Sequence, residues 1–126
     1  MPSVLIADDN PFILDTLTGR LRRNGHDVIQ ATNGQEAIDR CTRSKPDVAI
    51  LDVSMPVMNG LEAAKHLREM MPTLPIILFT AYGDLLKSQT EQLGVTAVFD
   101  KSSRLSDLLD TVEECWPKQQ KGSRSA

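Results

Sequence analysis

Five short apolar runs recur along the chain, near residues 3–7, 27–31, 47–51, 75–80 and 95–100. Longer segments with apolar positions at helical spacing separate them. This alternation predicts βαβ units and a parallel sheet. Runs three and four are almost continuously apolar, as expected of strands covered by helices on both faces. Right-handed crossovers narrow the strand orders that such a chain can adopt. The expectation is an α/β domain with a five-stranded parallel sheet in the order 2-1-3-4-5.

The intervening segments carry helix signals of their own. The first predicted helix runs from about Pro11 to Asn24, with Asn10 as N-cap and Pro11 at the first helical position. Leu14, Leu17 and Leu21 make its buried stripe, and Gly25 ends it. The second opens at Asn33, with Glu36 placed to reach back as in a capping box. The third follows Asn59-Gly60, places Leu61, Ala64, Leu67 and Met71 on one side, and stops before Pro72. A fourth, about 83–93, has thin apolar content. The fifth spaces Leu105, Leu108, Leu109 and Val112 for one face, with Trp116 a turn further and Ser102 or Ser103 as N-cap. Residues 1–117 read as one folded domain, and 118–126 as a flexible polar tail or linker stump.

Composition narrows the class. The chain has 126 residues, 40% apolar and 25% charged, which fits one soluble globular domain. A net charge of −3 provides no general attraction to nucleic acid, so direct nucleic-acid binding is not expected. No apolar stretch reaches the ~20 residues of a membrane span, and no signal-peptide pattern is present, so the expected location is cytoplasmic. Cys41 and Cys115 lack metal-site or redox spacing and read as small core residues. His26 and His66 read as isolated surface residues, and Asp107, Asp110, Glu113 and Glu114 as a solvated helix face.

The chemistry lies where the apolar runs end. Asp8 and Asp9 follow the first run, Asp52 the third, Thr80 closes the fourth, and Lys101 follows the fifth. In parallel strands these five groups emerge at one edge, where open α/β sheets bind ligands. The order 2-1-3-4-5 sets strands one and three side by side, so Asp8, Asp9 and Asp52 converge. Three close carboxylates repel one another, and a hard divalent cation relieves that repulsion. Mg²⁺ suits such a site, taking one or two carboxylates and keeping waters. A lysine and a hydroxyl facing a metal-bound carboxylate suit the oxygens of a phosphoryl group, which an aspartate can carry as an acyl phosphate.

These residues resemble the receiver domain of two-component response regulators. The resemblance rests on Asp8-Asp9, the run Asp52-Val53-Ser54-Met55-Pro56-Val57-Met58-Asn59-Gly60, Thr80-Ala81 and Lys101, and covers about residues 3–116. It implies the flavodoxin-like receiver fold. It also implies Asp52 as phosphoacceptor and Mg²⁺ held by Asp9, Asp52 and the backbone carbonyl of Ser54, with Asp8 acting through a water. Lys101 and Thr80 would contact the phosphoryl oxygens. The implied donor is a sensor histidine kinase or a histidine phosphotransfer protein. The domain would catalyse only its own phosphorylation and slow dephosphorylation. It would switch a surface made by the fourth helix, fifth strand and fifth helix, and homodimerisation on phosphorylation is a family option.

The chain departs from the family pattern at three places. Val98 stands where an aromatic residue is usual, and Phe99 beside it points to the opposite face. Ser102 replaces the proline that usually follows the lysine, so a cis bond there would cost about 3–4 kcal/mol. Ser54 and Tyr82 occupy the two positions that in the family flank the path of the hydrolytic water, and neither supplies an acid or amide. Other readings are weaker. A haloacid-dehalogenase-type phosphatase needs an acid where Ser54 stands. A flavodoxin needs a phosphate loop where Asp8-Asp9 stand. The alternative kept is a receiver-like interaction module that is never phosphorylated.

Overall fold

A computed structural model describes residues 2–81, 93–101 and 105–115. Five strands form one parallel sheet: β1 (Ser3–Ala7), β2 (Asp27–Ala31), β3 (Val48–Leu51), β4 (Ile76–Thr80) and β5 (Ala97–Asp100). Their order is β2-β1-β3-β4-β5, as the sequence predicts. The helices described are α1 (Pro11–Arg23), α2 (Gly34–Ser44), α3 (Gly60–Met70) and the Leu105–Glu113 helix that the sequence places fifth. The expected fourth helix lies outside the described residues except for Leu93. So do Trp116, Ser102, Ser103 and the tail.

Strand alternation divides the core into two layers. Val4, Ile6, Val48, Ile50, Ile77 and Phe79 face α1 and the Leu105–Glu113 helix, where they meet Leu14, Leu17, Leu21, Leu108, Leu109 and Val112. Leu5, Ala7, Ala49, Leu51, Ile76 and Leu78 face α2 and α3, where they meet Ala37, Cys41, Ala63, Ala64 and Leu67. The continuous apolar runs thus serve both faces, and each strand end opens at the same edge.

The helix ends follow their sequence signals. Asn10 Oδ1 accepts from the Phe12 N–H at 2.9 Å, and Gly25 takes φ +89° after α1. Asn33 Oδ1 caps α2 through the Glu36 N–H at 2.8 Å. The expected return bond is displaced by one residue: Glu36 Oε1 accepts from the N–H and hydroxyl of Thr32, each at 2.8 Å. That partnership holds its carboxyl below the ordinary range. Asn59 caps α3 by accepting from the Glu62 N–H at 2.9 Å. At the far end of α3, the Arg68 guanidinium donates to the carbonyls of Pro72 at 2.8 Å and Gly94 at 3.0 Å.

Three details correct or sharpen the sequence reading. His26 is buried, not a surface residue, and its Nε2 pairs with Glu113 Oε2. Glu113 therefore leaves the solvated face, while Asp107, Asp110 and Glu114 are exposed as expected. Cys41 is a core residue as expected, while Cys115 is half-buried against the core's edge; burial pushes the Cys41 thiol up to about 12 and the Cys115 thiol up to about 11.

Candidate functional site

The carboxyl edge of β1, β3, β4 and β5 positions the site. Ala7 pairs with Leu51, so the residues that follow, Asp8 and Asp52, leave neighbouring strands at the same level. Backbone bonds extend the ladder past the strand ends: the Asp52 N–H donates to the Ala7 carbonyl at 2.8 Å, and the Asp8 N–H to the Ala31 carbonyl at 3.1 Å. Thr80 pairs with Asp100, and the Lys101 N–H donates to the Thr80 carbonyl at 3.0 Å. Asp8, Asp52 and Lys101 thus follow their strands into one crevice, and Thr80 ends β4 beside Lys101.

Within it, Asp8, Asp9 and Asp52 each offer a carboxylate oxygen, and these lie within 4.8 Å of one another. Asp8 and Asp52 are buried and Asp9 is exposed. The Lys101 ammonium lies 2.9 Å from Asp8 Oδ2 and 3.2 Å from Asp52 Oδ2. Asp8 Oδ1 also accepts from the Asn10 N–H at 2.9 Å. Asp8 is thus held on both oxygens, one by the start of α1 and one by the lysine. Thr80 is fully buried at the end of β4.

The electrostatics follow from this crowding. Burial raises the Asp52 carboxyl pKa, the Asp8 charge raises it further, and Lys101 opposes both. Burial disfavours the Lys101 ammonium, yet its contacts with Asp8 and Asp52 outweigh that cost and its pKa lies above the ordinary lysine value. One cation therefore serves two buried anions with a third nearby, a local excess of negative charge that a further cation would relieve.

The residue pattern of the response regulator receiver domain matches residues 4–113. The chain belongs to that family. The receiver is 31% identical over 115 residues to sporulation initiation phosphotransferase F of Bacillus subtilis, covering 90% of this chain and 93% of that protein. It is 40% identical over 78 residues to the alkaline phosphatase synthesis transcriptional regulatory protein PhoP of Bacillus subtilis, covering 62% of this chain but 32% of that longer protein. Among solved structures it is similar to response regulator TrrA of Thermotoga maritima in complex with Mg(2+)-BeF, with a TM-score of 0.84, 31% identity and coverage of 92% of this chain and 100% of that one.

The structure brings Asp8, Asp9, Asp52 and Lys101 together. Ser54 lies two residues beyond Asp52 in an exposed loop. Val98 packs with the α2 and α3 layer while Phe99 packs with the α1 layer, so Phe99 does not stand in for an aromatic residue at position 98. Tyr82 and the Lys101–Ser102 bond lie outside the described residues. Two contributors escaped the sequence reading. Asn10, expected only as a cap, also fixes Asp8. Gly34 touches the loop that follows Asp52. No helix among the described residues is long and apolar enough to cross a membrane.

Proposed function

We propose that this receiver takes a phosphoryl group onto Asp52 from the phosphohistidine of a sensor histidine kinase or a histidine phosphotransfer protein, in a Mg²⁺-dependent step. The reading rests on one observation: three carboxylate oxygens within 4.8 Å, two of them on groups already bound by the Lys101 ammonium. The donor set fits a hard divalent cation, being all oxygen and all anionic. Two oxygens on one Mg²⁺ lie at most about 4.2 Å apart, so small side-chain rotations bring this cluster onto an ion. Asp9, Asp52 and the Ser54 carbonyl would hold it, with Asp8 acting through a water. When bound, the ion supplies positive charge beside the transferring phosphoryl oxygens.

The remaining chemistry belongs to the chain. An Asp52 oxygen bonds to phosphorus as the phosphorus–nitrogen bond to the donor imidazole breaks. The imidazole leaves with the bonding pair and takes a proton from water. The product is an acyl phosphate. Lys101 holds the new phosphoryl oxygens, within reach because it already contacts Asp52. The Thr80 hydroxyl donates to another, and its movement carries the signal to the surface of the fourth helix, β5 and the Leu105–Glu113 helix. That surface then contacts an output partner or a second copy of the chain. Catalysis is limited to self-phosphorylation and slow hydrolysis, and the setting is cytoplasmic.

The test is incubation with a small-molecule phosphodonor and Mg²⁺, followed by intact mass measurement. One added phosphoryl group is expected, absent in Asp52→Asn and prevented by chelator. A wild-type chain that gains no mass under these conditions would instead be an interaction module that is never phosphorylated.

A further inference from the structure

The loop after Asp52 is closed by backbone bonds. The Gly60 N–H donates to the Val53 carbonyl at 2.9 Å, and the Met58 N–H donates to the Pro56 carbonyl at 2.7 Å. The second bond spans a tight three-residue turn with Val57 at φ +68°. This turn directs the Met58 carbonyl toward the start of α2, where the Gly34 N–H donates to it at 2.9 Å. Gly34 is the first residue of α2 after the Asn33 cap, so its N–H is one of those that the helix itself leaves without a partner.

The contact admits no side chain. A Cβ at position 34 would lie 2.4 Å from the Met58 carbonyl oxygen and 3.0 Å from both the carbonyl carbon and Cβ of Met58. Gly34 is not among the glycines with positive φ. Its backbone conformation is open to any residue, and alanine would suit a helix there better than glycine. Space at Met58, and not backbone geometry, demands glycine at this position.

We infer that Gly34 is a positioning residue for the site: the start of α2 grips the loop after Asp52 through the Met58 carbonyl. The inference rests on the Mg²⁺-dependent reading above. Gripped at Met58 and closed at Val53–Gly60, the loop keeps the Ser54 carbonyl in register with a cation held by Asp9 and Asp52. A side chain at position 34 pushes the Met58 carbonyl outward and takes the Ser54 backbone with it.

The experiment compares wild type, Gly34→Ala and Gly19→Ala as full chains. Gly19 is the control, because a Cβ there meets nothing within 4 Å. Mg²⁺ affinity is measured by calorimetry, and folding by urea denaturation in chelator. Gly34→Ala should bind Mg²⁺ roughly 10-fold or more weakly while remaining folded, as supporting contacts around metal ligands typically do when lost. Gly19→Ala should bind as wild type does. In the wild-type chain, hydrogen exchange at the Gly34 amide should slow several-fold on saturation with Mg²⁺, which decides the matter even if Gly34→Ala does not fold. A folded Gly34→Ala with wild-type affinity, or a Gly34 amide indifferent to Mg²⁺, overturns the inference. A wild-type chain without Mg²⁺ affinity overturns the metal reading itself.

Discussion

Lys101 reaches Asp52 across 49 residues of sequence, with its ammonium 3.2 Å from Oδ2. The same nitrogen lies 2.9 Å from Asp8 Oδ2. The lysine therefore holds the edge of the sheet together before any metal or phosphoryl group arrives. Lys101→Ala leaves two buried carboxylates facing each other without their cation. Loss of about 2 kcal/mol is expected in chelator, below the range for a fully buried pair because the lysine is partly exposed. Mg²⁺ should recover much of that loss, which urea titrations with and without the ion would reveal. Phosphorylation by small donors should fall at least tenfold even at saturating Mg²⁺, since the lysine also serves the transferring group.

Asp52→Asn should act in the opposite direction on stability. The native state raises the Asp52 carboxyl pKa, chiefly by burial and then by the Asp8 charge. The folded chain consequently binds more protons than the unfolded chain over the interval between the ordinary and the raised value. Stability falls as pH rises through that interval. Asparagine removes this cost and leaves Lys101 paired with Asp8. Thermal melts in chelator should show a Tm a few degrees higher for Asp52→Asn at neutral pH, a gap that closes toward acid pH. Added Mg²⁺ should raise the Tm of wild type but not of the variant.

Val57 sits 83% exposed at the apex of the loop with φ +68°, a conformation in which a β-branched residue is strained. Asparagine tolerates that region. Val57→Asn should stabilise the fold by about 1 kcal/mol, measured by chemical denaturation, without weakening Mg²⁺ binding.

His26 joins the turn after α1 to the Leu105–Glu113 helix through Glu113. Removing one partner from a largely buried polar pair exposes the other to a desolvation cost. His26→Ala should lose about 2 kcal/mol, and His66→Ala, on the exposed side of α3, should lose almost nothing. Equal losses in the two variants would contradict the structural role of the His26–Glu113 pair.

How far the sequence is legible depends on whether the signal is local. Val48–Leu51 and Ile76–Phe79 announce doubly covered strands because their apolar runs are unbroken. Asn10, Asn33 and Asn59 mark helix starts because a cap bonds within three residues of itself. Asp8, Asp9, Asp52, Thr80 and Lys101 are legible as a set because parallel strands emit their last residues at one edge. His26 is not legible in this way, because its partner Glu113 lies 87 residues away. The return bond of Glu36 falls on Thr32 and not on Asn33, because the N–H and the hydroxyl of Thr32 both donate to one Glu36 oxygen.

The order of polar and apolar residues by itself determined the strands, their parallel arrangement and the identity of the groups at the sheet edge, since periodicity and capping act over a few residues. The tertiary structure alone decided that Lys101 bridges Asp8 and Asp52, that Val98 joins the α2 and α3 layer while Phe99 joins the α1 layer, and that Gly34 must stay bare beneath the Met58 carbonyl. Those relations are distances between segments far apart in the chain, set when the two layers pack and not by any local preference.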